Sequence, residues 1–255
     1  MHALKTAIKS VAVAMSDTAA QMLFPDSVTC LACGNELNGT TGDALCEACR
    51  LDFIESCCRI CGRKIDNLAE LCDKCMEHEP HQFELAKSSV TFDNTARRLI
   101  YGFKYGGARY LAKFMAQSMV KTAQKNGFTD AGLITFVPLH SKRQRKRGYN
   151  QSELLAESLS VMLSIPCAAL LHKTKHTKNL ARLNRAERSE IIHGSFETAC
   201  ERSAVKDKTI LLIDDVLTTG ATADECAKVL KRAGAQKVWL LTFASVQSKI
   251  KPGTI

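Results

Sequence analysis

The sequence predicts an α/β protein: a mainly parallel sheet with helices on both faces, preceded by a small cysteine-rich module. Three observations lead there. From residue 86 onward, apolar runs of strand length alternate with amphipathic helical stretches. One apolar strand, Thr209–Ile213, delivers a pair of acids and then a Thr- and Gly-bearing loop that opens a helix. Nine of the 12 cysteines are crowded between Cys30 and Cys75.

The apolar fraction of 45% and charged fraction of 24% are those of a soluble globular protein, and 255 residues allow one large domain plus a small one. No run of eighteen apolar residues occurs, so no membrane-spanning helix is expected and a cytoplasmic location is. Residues 1–25 read as an amphipathic helical extension, with Leu4, Ile8, Val11, Met15 and Met22 on one stripe. The apolar run Val11–Met15 is too short for a secretory signal, and Ser16-Asp17 interrupts it. The net charge of +9 is unevenly placed. Residues 1–85 hold 7 basic against 13 acidic side chains, and residues 86–255 hold 28 against 13. A polyanion should therefore meet the C-terminal part, whether that anion is a nucleic acid or a phosphorylated small molecule.

The cysteines of residues 26–85 form four pairs: Cys30 with Cys33, Cys46 with Cys49, Cys58 with Cys61 and Cys72 with Cys75, leaving Cys57 over. A two-residue gap lets both thiolates of a pair reach one ion, and Gly34 and Gly62 permit the tight turn behind each first pair. Four pairs match two structural Zn2+ sites of four thiolates, a double zinc ribbon, in a segment with too few large apolar residues to fold on a core alone. A disulfide framework is the weaker alternative. Spacing favours neighbouring pairs sharing an ion but leaves interleaved pairing open. Each four-thiolate site adds negative charge to an acidic segment, so the ribbons suit docking on the chain's own basic domain or on a protein partner better than a phosphate backbone.

The C-terminal part, residues 86–255, reads in order as strand Ser88–Phe92, helices Thr95–Phe103 and Arg109–Lys125, strand Gly132–Val137 and helix Asn150–Leu163. Strand Thr209–Ile213, helix Thr222–Ala233 and strand Lys237–Phe243 follow. Ligands of such sheets bind beyond the carboxyl ends of the strands. There the chain runs Asp214, Asp215, Val216, Leu217, Thr218, Thr219, Gly220, Ala221, Thr222. Backbone N–H groups of the loop and the helix N-terminus behind it make an anion cradle, and the threonine hydroxyls add donors. Two adjacent carboxylates suit vicinal hydroxyls, so the ligand expected is a phosphorylated sugar. This run resembles the signature with which type I phosphoribosyltransferases bind phosphoribosyl pyrophosphate (PRPP), and the resemblance implies that fold, with a flexible lid.

A narrower likeness lies upstream. Val137-Pro138-Leu139, Arg143, Arg147-Gly148-Tyr149-Asn150-Gln151 and Leu155-Ala156 resemble the ComF/GntX family, in which a double zinc ribbon precedes the phosphoribosyltransferase domain. Phe103-Lys104-Tyr105-Gly106 is similar to that family's Lys-Tyr element. The resemblance implies pyrophosphate binding around Leu139, His140, Arg143, Arg147 and Gly148. Lys142, Arg145 and Lys146 of the same basic run read instead as a solvated face. Lys173–Phe196 resembles the closing lid, with Lys175, Arg182 and Arg188 its cations. Leu180 and Ile191 depart from the family pattern, each apolar where the family carries Gln or Asn.

The activity so implied is transfer of phosphoribosyl from PRPP with release of pyrophosphate. Asp214 and Asp215 would hold the ribose, Arg188 or Arg182 the leaving group, and Mg2+ would accompany PRPP. The family's link to competence implies single-stranded DNA as a further partner and a DNA-handling role as the alternative. With an aromatic fraction of 6%, many base-stacking platforms are not expected.

Overall fold

The computed structural model describes residues 29–37, 44–65, 70–77, 80–175 and 185–246. The N-terminal stripe and the lid positions Thr177, Leu180, Arg182 and Leu183 lie outside them. The chain divides into two compact units, Met1–Arg50 and Leu51–Ile255. Among the described residues, no helix is long and apolar enough to cross a membrane.

The first unit holds one ribbon. The Cys30 carbonyl accepts from the Gly34 amide at 2.8 Å, and Asn35 returns its carbonyl to the Cys30 amide at 2.8 Å. Gly34 closes that turn at φ +77°, a left-handed conformation costly for other residues. Cys46 and Cys49 bracket a short 3-10 turn, Glu47–Cys49.

The second unit begins with the other ribbon, which ends in a short helix α1 (Asp73–Glu77), and continues as an α/β domain. Its strands β1 (Leu85–Thr91), β2 (Leu133–Phe136), β5 (Thr209–Leu217) and β6 (Lys237–Ser245) form one parallel sheet in the order β1-β6-β5-β2. Helices α2 (Asn94–Tyr105), α3 (Leu111–Lys125), α4 (Ser141–Arg147) and α5 (Gln151–Leu163) fall between β1 and β2 or follow β2. The antiparallel pair β3 (Leu171–Lys173) and β4 (Phe196–Thr198) brackets α6 (Arg185–Ile192), and α7 (Ala221–Arg232) joins β5 to β6. The sequence assigns no strands to β3 and β4, three-residue pieces too short to carry a period.

Alternation along the strands divides the core. Ile210 and Leu212 of β5 and Val238 and Leu240 of β6 pack with Ala223, Cys226, Ala227 and Leu230 of α7 on one face. Leu211 and Ile213, fully buried on the opposite side, fall on the face covered by α3 and α5. Both sides of β5 and β6 are apolar because helices cover both, as a parallel sheet requires.

One expectation needs correction. The acids do not follow the strand but lie within it. β5 runs through Leu217 because β6 continues beside it, pairing Asp214 with Thr242, Val216 with Ala244 and Leu217 with Ser245. The loop is thereby cut to Thr218–Gly220, and α7 starts at Ala221.

The second ribbon is built into this domain. Phe53 bridges antiparallel to Val90 on the outer edge of β1, the Ala86 amide donates to Ile60 at 2.7 Å, and Phe83, next to β1, is 1% exposed. A Cβ on Gly62, where φ is +67°, would fall 2.3 Å from the Ala86 carbonyl oxygen. Only glycine lets the knuckle lie so close to the strand.

Candidate active site and metal centres

The eight predicted ligands gather into two sets. Cys30, Cys33, Cys46 and Cys49 form one, and Cys58, Cys61, Cys72 and Cys75 the other, with the sulfurs of each set within 4.8 Å of one another. Neighbouring knuckles therefore share a site, and interleaving is excluded. Four converging thiols at this separation fit a tetrahedral Zn2+ of four thiolates. Cys57 belongs to neither set; its sulfur accepts from Lys87 Nζ at 3.1 Å.

At the carboxyl end of the sheet lies a cavity of about 540 Å3. One wall is the Asp214–Thr222 segment, contributing Asp214, Asp215, Val216, Thr218, Thr219 and Thr222. Leu217, Gly220 and Ala221 are buried behind it, Leu217 and Ala221 as part of the core. Gly220 caps α7 at φ +87°, with the His81 ring 3.1 Å from where a Cβ would sit. Any side chain there would be strained and would push on that imidazole.

The acids do not stand open to solvent at the end of a strand. Asp215 is 7% exposed and ion-paired with Lys104 of α2. Asp214 is half-buried and accepts from the Ser152 hydroxyl at 2.8 Å and from the Asp215 amide at 2.9 Å. Burial first, and the neighbouring carboxylate second, push the Asp214 carboxyl up to about 7, against the opposing pull of Lys104 and Ser152. Their partners, a lysine and a serine hydroxyl, mark the two acids as acceptors for donor groups.

The facing wall is basic. The run after Pro138 forms α4 rather than an open loop, and an i, i+4 spacing puts Arg143 and Arg147 on the cavity side. Lys142 and Arg145 are exposed and line no part of it, while Lys146 faces a second hollow beside Lys104 and Tyr105. Leu139 lines the main cavity. His140 and Gly148 do not, and each has a local task. His140 caps α4 by accepting from the Lys142 amide at 3.2 Å, and Gly148 ends it at φ +83°. The rest of the motif is scaffold. Tyr149 donates to the Phe103 carbonyl, and Asn150 donates to the Val137 carbonyl at 3.0 Å while capping α5. Gln151 accepts from Arg147 at 2.6 Å, aiming that guanidinium.

Lys175 stands at the described root of the lid, exposed, with Nζ donating to the His193 carbonyl at 3.1 Å. Arg188 lies on α6, and Arg182 lies outside the described residues. Ile191 is 43% exposed on α6.

Among the lining residues that escape sequence reasoning as site residues are Ser152, Lys173, Arg97 and Tyr101. Lys173 reaches the cavity from β3, with its ammonium pushed down by burial and then by Arg143. Arg97, Tyr101 and Tyr105 recur at four-residue spacing on the face of α2 opposite its buried Leu99, Ile100 and Phe103. Polar positions at that spacing are the signal available, but one indistinguishable from an ordinary solvated face. Tyr101 and Tyr105 are 66% and 65% exposed with ring centroids 4.8 Å apart, and Arg147 lies 5.1 Å above the Tyr105 ring.

Residues 87–253 match the family described as phosphoribosyl transferase domain, and residues 19–76 match the double zinc ribbon domain. The chain is 28% identical to Competence protein F of Haemophilus influenzae over 84% of its own length and 96% of that protein. It is 26% identical to DNA utilization protein YhgH of Salmonella typhi, over 79% of this chain and 97% of the other. It is 27% identical to Competence protein ComFC of Bacillus subtilis, over 84% of this chain and 82% of the other.

Proposed function

The chain belongs to the phosphoribosyl transferase domain family, with a double zinc ribbon ahead of that domain, and from this premise we propose that it binds PRPP and transfers its phosphoribosyl group with release of pyrophosphate. One observation carries the reading: an acid pair, Asp215 buried and Asp214 half-buried, and a Thr-lined loop at a helix N-terminus face Arg143, Arg147 and Lys173 across one cavity. The loop and the N-terminus of α7 take the 5′-phosphate. Asp214 and Asp215 accept from the ribose hydroxyls, trading Ser152 and Lys104 for sugar donors. The facing cations take the pyrophosphate, whose departing oxygens gain charge as the bond to the ribose C1 breaks. Mg2+ arriving with PRPP would neutralise part of that charge, and Asp214 and Asp215 are the residues that would hold it, directly or through water.

In Asp214→Asn/Asp215→Asn, calorimetry should find PRPP affinity in the presence of Mg2+ reduced by a hundredfold or more, on the order of two lost hydrogen bonds to charged groups. Undiminished affinity sinks the site assignment. Labelled PRPP incubated with candidate bases and with single-stranded DNA, followed for pyrophosphate release, tests turnover and the acceptor together.

A second reading is favoured by the tyrosine pair on α2 and by the relatives named for competence and DNA utilization. Single-stranded DNA would lay bases on Tyr101 and Tyr105 and its phosphates along Arg97, Arg143 and Arg147, with PRPP competing at the shared cations. Tyr101→Ala/Tyr105→Ala should weaken binding of a fluorescent single strand about thirtyfold or more at fixed salt, since each of two stacked bases contributes about 1–3 kcal/mol. Arg143→Gln/Arg147→Gln should also flatten the salt dependence, because fewer counterions are released.

A further inference from the structure

We infer that the second ribbon is the brace of the phosphate loop: Arg63 and His81 are positioning residues through which its zinc sets the shape of Thr218–Gly220, so metal loading and PRPP affinity are linked. This rests on the PRPP reading of the site.

Arg63 follows Cys61 by two residues and is 4% exposed, so its guanidinium needs partners inside the protein. It donates to the main-chain carbonyl of Thr218. In a trans peptide, C=O and N–H point in opposite directions. With no cis peptide among the described residues, holding the Thr218 carbonyl toward the ribbon turns the Thr219 N–H away from it. An anion cradle works only when such N–H groups are already aimed, because reorienting a peptide on binding costs affinity.

The Arg63 backbone is part of the metal knuckle. Its carbonyl accepts from the Cys58 amide at 2.8 Å, and the Gly62 amide donates to the Cys58 carbonyl at 3.0 Å. A second strut reaches the first turn of α7. His81 Nδ1 lies 2.6 Å from Asp224 Oδ2, and the Gln82 amide donates to Asp224 Oδ1 at 2.9 Å. The His81 ring stacks on Phe83 at 4.4 Å and fills the space beside Gly220. Loop carbonyl and helix start are thus both held from the ribbon side. Losing the ion frees the knuckle, and Arg63 with it. Because linkage is reciprocal, PRPP must then slow the loss of that ion.

The test uses the full-length zinc-loaded protein. PRPP affinity with excess Mg2+ is measured by calorimetry for wild type and Arg63→Met, which keeps the apolar stem without the donors. Zinc loss to a chromogenic chelator is followed with and without PRPP. The expected results are about tenfold weaker PRPP binding in Arg63→Met at two zinc ions per chain, and PRPP protection of one of the two ions in wild type. Asp214→Asn/Asp215→Asn should show no such protection. If Arg63→Met does not fold, the chelator measurement on wild type decides alone. Wild type that binds PRPP yet loses both ions at unchanged rates overturns the brace and leaves the site reading standing. Wild type that does not bind PRPP removes both.

Discussion

The two ribbons use the same ligands at the same spacing and stand in different circumstances. Cys30–Cys49 lies in a compact unit that ends at Arg50, whereas Cys58–Cys75 shares its unit with the sheet. The first satisfies its turn amides among its own residues, as in the reciprocal bonds between Cys30 and Asn35 or Gly34. The second makes the same turn bonds, between Cys58 and Arg63 or Gly62, and adds bonds to the domain: the Ile60 and Asp52 carbonyls accept from the Ala86 and Thr91 amides, and the Arg63 guanidinium donates to the Thr218 carbonyl. A metal knuckle guarantees a local fold, but its importance to the rest of the chain depends on what its turns touch.

Truncation tests that contrast most severely. Removing residues 1–50 should leave a soluble, cooperatively unfolding domain. Removing residues 1–84 takes away Phe83, the edge pairing at Phe53 and the brace at Arg63, and should leave no cooperative transition in calorimetry. Survival of the shorter fragment with an unchanged melting point would show the second ribbon to be as detachable as the first.

Single ligands come next. Cys61→Ser should lose one zinc ion and lower the main melting transition by roughly 10–20 °C, the size of a lost metal site of about 4–5 kcal/mol in a unit of this length. Cys33→Ser should lose one ion too, with the main transition in place. Metal analysis beside calorimetry distinguishes the two.

A smaller effect concerns Asp214. Its carboxyl titrates at about 7 in the folded protein against about 4 unfolded. Over that interval the folded state holds the extra proton, so stability of the second unit should fall as pH rises from about 4 to 7 and level off above. Asp214→Asn should remove that slope and be more stable than wild type at pH 8, by on the order of 1–2 kcal/mol. Urea melts between pH 5.5 and 8 that show the slope retained in the variant assign it to another group. Smallest of all, Cys57→Ser should keep both ions and change stability by less than about 1 kcal/mol, since its sulfur meets only an amphipathic lysine beside the site. Loss of an ion there would put Cys57 among the ligands.

Much of this architecture was legible beforehand because its signals are local. Cysteine spacing announced both ribbons, and the apolar runs announced β1, β2, β5 and β6 as a parallel sheet. Arg143 and Arg147 were separable from their basic neighbours, and α4 supplies the reason in its i, i+4 face. Illegible were the features that need a partner from elsewhere in the chain. The acids read as following the strand, but β6 extends beside them and Lys104 reaches across to pair with Asp215. Tyr105 stood in a recognisable Lys-Tyr element, but only the fold sets Tyr101 beside it on the same cavity.

The sequence alone therefore determined the chemistry on offer: eight thiols for two ions, a loop of threonines and glycine before a helix, two acids and a basic run. These are matters of residue type and short spacing, which a chain carries wherever it goes. Tertiary structure alone decided which of these groups meet, how deeply the acids are buried, and that one ribbon holds the Thr218–Gly220 loop by the Thr218 carbonyl, 155 residues away in the chain. Such long-range pairing is settled by the packing of whole faces, in which each contact is possible only because many others form with it.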